Sequence, residues 1–316
     1  MFRQQAPVVL PFQAKRLWQG FWQLADPKIW IASTVPMLIG TGLAYGKTGT
    51  LEAEWVVLAF VSIYLIEIGK NAVNELFDYL SGVDRFVRED ERTPFSGGKK
   101  TIVDGKLSLV ETGLIGIVTL GAAFLLGVYA AVVKEPAIFW VGMAGGLISI
   151  AYTFPPFKLC YRGLGEAVIG ITYGPLMVSG MYLLLTHAWT WDIALVGVPV
   201  GFLITNVIWI NQYPDYEADR RAGKRNWVVR LGRERGIAVY ALLYAAAFAG
   251  LIAVSIIYRN PLWLLGLLAV PPAIESVNVA KAYCCDVPRL MKANARTVQV
   301  YQLAGAAMLI ASIFNG

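Results

Sequence analysis

One histidine and three cysteines in 316 residues leave little material for metal sites built on nitrogen or sulfur. The cysteines, Cys160, Cys284 and Cys285, are too few and too irregularly spaced for a disulfide framework or a zinc site. Charge is scarce as well: 15% of residues are Asp, Glu, Lys or Arg, against about 25% in soluble domains. Apolar residues take up the difference, at 57% of the chain with a mean hydropathy of +0.57. That balance excludes disorder, collagen and coiled coil. A soluble globule is excluded by arrangement, because the apolar residues fall in blocks of about 20, the length that crosses a bilayer.

The pattern predicts an all-α membrane protein with nine transmembrane helices around a central cavity. The spans fall near 29–46, 54–80, 108–133, 137–154, 164–186, 192–212, 236–258, 261–283 and 297–314. Two connections, 81–107 and 213–235, are longer than the rest, charged, and rich in Gly or Arg. Residues 1–27 carry Lys15, Arg16, Trp18, Phe21 and Trp22 without an apolar core ahead of a cleavage site. They are expected to form an amphipathic surface segment rather than a signal peptide, leaving 28–316 as one domain.

Of the 27 Lys and Arg residues, 23 fall on one side of this layout (Lys281, at the end of the eighth span, is counted with the loop that follows it), three (Lys47, Lys134, Arg259) on the other, and Lys70 inside the second span. The positive-inside rule then puts the N-terminus in the cytoplasm and the C-terminus opposite, as in a prokaryotic inner membrane. The net charge of +6 belongs to one membrane face, where it suits anionic headgroups or a phosphorylated substrate. It is not a nucleic-acid footprint, and no obligate protein partner is evident.

The acids are concentrated where two of the spans end. At about 100° per residue, Lys70, Asn74 and Asp78 form one polar stripe, with Glu67 and Asn71 in the same arc. Ionisable residues within a span point to a functional site facing the bundle interior, although Glu67 and Lys70 also have the spacing of a self-neutralising ion pair. Asn211, Asp215 and Asp219 repeat the Asn-x-x-x-Asp pattern at the end of the sixth span, where Pro214 is expected to break or kink the helix. Clustered carboxylates need cations between them, and oxygen ligands without His or Cys suit Mg²⁺, with Mn²⁺ as a second choice. Arg85, Arg88, Arg92, Lys99 and Lys100 follow the first cluster; Arg220, Arg221, Lys224 and Arg225 follow the second. Carboxylate-held metals beside basic groups form a diphosphate clamp. His187, the single histidine, lies near the outer end of the fifth span and reads as an interfacial residue.

These motifs resemble the UbiA superfamily of intramembrane aromatic prenyltransferases. The first, Asn74-Glu75-Leu76-Phe77-Asp78 with the next Asp at 84, has the longer spacing of the branch that prenylates 1,4-dihydroxy-2-naphthoate for menaquinone; Glu75 stands where that family has Asp. Asp215-Tyr216-Glu217-Ala218-Asp219 with Lys224 and Arg225 resembles the branch's second motif, although Asn226-Trp227 replaces its Thr-Leu. Tyr152 to Glu166, with Lys158 and Arg162, resembles its loop between helices 4 and 5. The resemblance implies metal ligands at Asn74, Asp78, Asp84, Asn211, Asp215 and Asp219, with Asp78, Asp84, Asp215 and Asp219 also catalytic. It implies diphosphate contacts at Lys70, Arg92, Lys99, Tyr152, Lys158, Arg162, Lys224 and Arg225. The implied partners are a polyprenyl diphosphate, an aromatic acceptor and the lipid bilayer. Lys70 is not expected in naphthoate enzymes and points towards a different acceptor, such as 4-hydroxybenzoate. A cation-coupled transporter is the reading from another class; it predicts acids near the bilayer midplane rather than at one surface.

Overall fold

The computed structural model describes residues 13–82, 93 and 98–315. Asp84 and Arg92, along with Arg85 and Arg88, lie outside the described residues, as do residues 1–12. Every regular element described is helical. The chain opens with α1 (Ala14–Ala25), whose Trp18 is exposed while Gly20, Leu24 and Ala25 are buried. A short 3₁₀ turn at Pro27–Trp30 leads into α2 (Ile31–Thr48), followed by α3 (Ala53–Ser81) and α4 (Leu109–Val133). The start of α4 is set by a capping box, in which Ser108 accepts from the Glu111 backbone and Glu111 from that of Ser108.

Next come α5 (Ile138–Thr153) and α6 (Gly165–Ile171), then a π-helical turn at Thr172–Leu176 and α7 (Met177–Thr186). Pro175 lies in that turn and lacks the N–H that a regular helix would use. The long α8 (Trp191–Asn211) stops three residues ahead of Pro214 and gives way to the short α9 (Tyr216–Arg221) and α10 (Trp227–Leu231). The last elements are α11 (Arg233–Ile257), a 3₁₀ stretch at Pro261–Ala269 running into α12 (Val270–Tyr283), and α13 (Val287–Ile313).

Among the described residues, seven helical segments are long and apolar enough to cross a membrane. Of the nine expected spans, two differ. α5 has 16 residues, about 24 Å of helix, shorter than a roughly 30 Å hydrocarbon core. α13 begins at Val287 rather than near 297, because Asp286 caps it by accepting from the Arg289 backbone and Pro288 sits in its first turn. Its first half carries Arg289, Lys292 and Arg296, which hides a helix from an apolar window.

Two close contacts position the site. Gly170 and Gly174 face Gly197 and Gly201, so the segment from α6 into the π turn packs on α8 almost backbone to backbone. A Cβ on Gly174 would lie 2.5 Å from the Gly197 carbonyl oxygen, the close approach that small residues four apart permit in membrane helices. The second contact ties α1 to the interior. The Asn71 side chain donates to the Leu24 carbonyl at 2.9 Å and to that of Ala25 at 3.3 Å, filling acceptors left open where α1 ends.

Candidate active site

The site is assembled where α3, α8 and the loop after α5 end on the same side. On α3, four-residue steps keep Lys70, Asn74 and Asp78 on one stripe, each step about 6 Å along the axis. Asn74 is oriented from α5: its side-chain oxygen accepts from the Thr153 hydroxyl at 2.5 Å. Asn211, at the end of α8, is oriented from α13, accepting from the Asn294 amide at 2.8 Å. Asp215 begins α9, and its carbonyl accepts from the Asp219 backbone at 2.8 Å.

Asp219 is 4% exposed. It pairs with Lys224 at 3.2 Å and accepts from the Asn226 amide at 2.7 Å. Burial works against the Lys224 ammonium, but the Asp219 carboxylate, followed by Cys160, Tyr152 and Asp215, outweighs it and holds the Lys224 pKa well above the usual lysine value. Lys224 is therefore a permanent cation set between carboxylates.

The loop after α5 packs against the loop that carries the second motif. The Arg225 backbone donates to the Tyr161 carbonyl at 3.0 Å, and Arg230 donates to the Arg162 carbonyl at 2.6 Å, tying this loop to the one after α9. Arg162 itself donates to the Pro156 carbonyl at 2.7 Å, and the Lys158 ammonium lies 5.3 Å from the centre of the Tyr161 ring. Cys160 and Tyr161 register both acidic motifs. Burial pushes the Cys160 thiol up to about 11; Lys224 opposes that shift, while Asp78 and Asp219 add to it. Burial also pushes the Tyr161 phenol up to about 12, again with Asp78 and Asp219 among the contributors. Since Asp78 comes from α3 and Asp219 from α9, one thiol feels carboxylates 141 positions apart, and the two motifs share one electrostatic neighbourhood.

The remaining candidates sit around this centre. Tyr152, on α5, lies in the fields of Cys160, Lys224, Glu166 and Lys70. Lys99 is tied away from the acids by an ion pair with Asp26, at the end of α1. Lys70 donates to Glu67 and to the Tyr173 hydroxyl. Arg225 is exposed, and Arg162 is exposed as well.

Several residues that brace the site are not among the candidates read from the sequence. Asn226 both holds Asp219 and caps α10 by accepting from the Val229 backbone at 2.8 Å; an Asn just ahead of a helix was the signal that could have found it. Glu166, 3% exposed, accepts from the Gln212 side chain at 3.0 Å and the Trp227 backbone at 2.9 Å, joining α6, α8 and α10. Thr153 and Asn294 carried no local signal. Glu75 is 2% exposed and accepts from the Lys100 backbone, the Thr101 hydroxyl and the Ile102 backbone, each at 3.0 Å. It fastens the returning end of the 81–107 connection to α3.

The donor chemistry at the motifs is oxygen only: Asp78, Asp215 and Asp219 with the amide oxygens of Asn74 and Asn211. Among the described residues no three His, Cys, Asp or Glu side chains converge into a self-contained metal cage. Oxygen donors of this kind fit Mg²⁺, which takes one or two carboxylates and fills its shell with water and phosphate oxygens.

Apolar helices of membrane length, with paired acidic helix ends under basic loops, define a polytopic membrane enzyme. Residues 33–281 match the UbiA prenyltransferase family, and the chain belongs to it and is a prenyltransferase. It is 26% identical over 308 residues to the 1,4-dihydroxy-2-naphthoate octaprenyltransferase of Bacillus subtilis, covering 96% of each chain. It is also 26% identical over 282 residues to the 2-carboxy-1,4-naphthoquinone phytyltransferase of Synechocystis, covering 88% of this chain and 86% of that one. Its fold is similar to that of a UbiA homolog from Archaeoglobus fulgidus, with a TM-score of 0.63 at 18% identity, covering 92% of this chain and 99% of that one. The same homolog has been solved bound to GPP and Mg²⁺; that structure matches this chain with a TM-score of 0.60.

Proposed function

We propose that the protein transfers a polyprenyl group from an isoprenyl diphosphate to an aromatic quinone precursor, 1,4-dihydroxy-2-naphthoate being the acceptor its relatives favour. The observation that supports this reading is that Asp78 and Asp219, from motifs 141 positions apart, both raise the pKa of the one Cys160 thiol. Asn74, Asp78, Asn211, Asp215 and Asp219 would hold Mg²⁺, with Asp84 as a further ligand from the adjoining connection. The ion would neutralise charge growing on the departing pyrophosphate.

The chain's own groups do the rest. Lys224 adds a fixed positive charge beside the acids, and Lys158, Arg162 and Arg225 line the connecting loops as phosphate contacts. Arg92 and Lys99 belong to the connection that Glu75 fastens. Asn226 and Thr153 fix the orientation of Asp219 and Asn74, so that little reorganisation is needed as charge develops. An allylic carbocation must be kept from water, and the packed loops 154–164 and 213–235 would close the site. Tyr152 presents a ring that can shield a cation.

The same reading places nine helices across the membrane, the N-terminus in the cytoplasm, α1 on the membrane surface and the acidic site facing inward. The test is mass spectrometry of products formed from dihydroxynaphthoate or hydroxybenzoate with polyprenyl diphosphates and Mg²⁺. Prenylated ring product is expected from the wild type and none from Asp78→Ala or Asp215→Ala, both remaining folded in detergent. Near-wild-type turnover in both variants would refute the metal assignment.

A further inference from the structure

A second polar centre lies deeper along α3. The Lys70 ammonium donates to Glu67 Oε2 and, at 2.8 Å, to Tyr173 Oη, while Tyr173 Oη donates to Glu67 Oε1 at 2.6 Å. The three groups close a ring of hydrogen bonds. Glu67 is 3% exposed, yet the Lys70 side chain is 29% exposed, so the ring has one open edge and Lys70 occupies it. Two of the three ammonium N–H donors are spent inside the ring and the third is left for something else.

Four observations make this centre more than a structural ion pair. Lys70 lies well inside a membrane crossing, where an ion pair costs more than the apolar packing it displaces. Tyr173 is delivered by the π-helical turn Thr172–Leu176, an irregularity that costs helix regularity and that concentrates at functional sites. Tyr152 lies in the fields of both Lys70 and Lys224, so the deep centre and the second motif act on one side chain. Finally, Lys70 shares its stripe with Asp78 but lies eight residues earlier, about 12 Å further along the axis. That offset matches an aromatic ring lying inward of a diphosphate clasped at Asp78, beside the reacting carbon.

We propose that Lys70, held in place by Glu67 and Tyr173, binds an oxygen substituent of the aromatic acceptor and so determines which acceptors are prenylated. The proposal rests on the prenyl-transfer reading above. An acceptor carboxylate or hydroxyl oxygen takes the third N–H. Glu67 and Tyr173 keep the ammonium pointed at the open edge, and the ring carbon is thereby aimed at the site of ionisation. Because Glu67 already balances the charge of Lys70, the centre is neutral when empty and carries no uncompensated charge between turnovers.

The test is steady-state kinetics on the purified full chain in lipid nanodiscs with Mg²⁺, varying dihydroxynaphthoate and farnesyl diphosphate in turn. For Lys70→Met, and for the charge-neutral double variant Glu67→Gln/Lys70→Met in case the single change unfolds, acceptor KM is expected to rise about tenfold or more, with diphosphate KM within about twofold. Tyr173→Phe shifts the same parameter in the same direction, and Lys70→Arg restores acceptor KM to within about threefold of wild type. With an analogue lacking the contacted carboxylate or hydroxyl, wild type and Lys70→Met become equivalent, and the analogue that achieves this identifies the oxygen. A rise in diphosphate KM with acceptor KM unchanged, or no change in either from the double variant, overturns the proposal. Absence of transfer by the wild type to any aromatic acceptor overturns the underlying reading instead.

Discussion

Replacing Glu75 with alanine separates two roles that its position in the first motif leaves confounded. Its neighbours in the motif are proposed metal ligands, but its carboxylate is 2% exposed and accepts from two backbone N–H groups and one hydroxyl in residues 100–102. Removing it strands those donors in a buried setting. An unsatisfied buried donor costs about 1–3 kcal/mol, and bonds to a charged acceptor lie towards the upper end of that range. Allowing for partial relaxation of the loop, Glu75→Ala should lose about 3–5 kcal/mol of stability. By the usual scaling for chains of this size, that lowers Tm by roughly 5–10 °C. The assay is thermal unfolding of the detergent-purified protein, paired with an Mg²⁺ titration of prenyl transfer at a temperature where the variant stays folded. A structural Glu75 leaves the Mg²⁺ concentration for half-maximal activity unchanged. Wild-type Tm together with a large increase in the Mg²⁺ requirement would refute this reasoning and return Glu75 to the metal.

Other perturbations follow from the same contacts. Asn226→Ala removes both the cap on α10 and the bond to Asp219; it should cost about 1–2 kcal/mol in unfolding experiments and depress turnover, whereas Asn226→Thr, which keeps a capping oxygen and a donor, should retain most of both. With Cys284 and Cys285 changed to serine, Cys160 should react with maleimide about a hundredfold more slowly at pH 8 than an ordinary thiol, because a pKa near 11 leaves that much less thiolate. Labelling should accelerate about tenfold per pH unit until about pH 11, and rapid labelling at neutral pH would contradict the site's electrostatics. Gly174→Val, which drives a side chain into the backbone of α8 2.5 Å away, should abolish folding or activity measured after purification, whereas Gly121→Ala, with nothing within 4 Å of its added Cβ, should cost far less.

The spans and the polar stripe were legible because each is local. An apolar block of about 20 residues has one comfortable environment, and Lys70, Asn74 and Asp78 share a face through helical periodicity alone. The ion pair of Glu67 and Lys70 was visible for the same reason, and so was the end of α8 before Pro214. The start of α13 was missed because its first turns are polar, and an apolar window does not register a helix whose first half carries Arg289, Lys292 and Arg296.

What only the tertiary structure decided is which distant residues hold the local ones. Tyr173 reaches Glu67 across 106 positions, Asn294 orients Asn211 across 83 and Thr153 orients Asn74 across 79. The same holds for Glu75, which stands where the family has Asp and whose role shows only once the 100–102 segment is seen folded onto it. Side-chain chemistry and spacing along a helix are written in the chain. Meetings between helices depend on packing at contacts such as Gly174 on Gly197, and no periodicity encodes which partner a buried donor or acceptor finally meets.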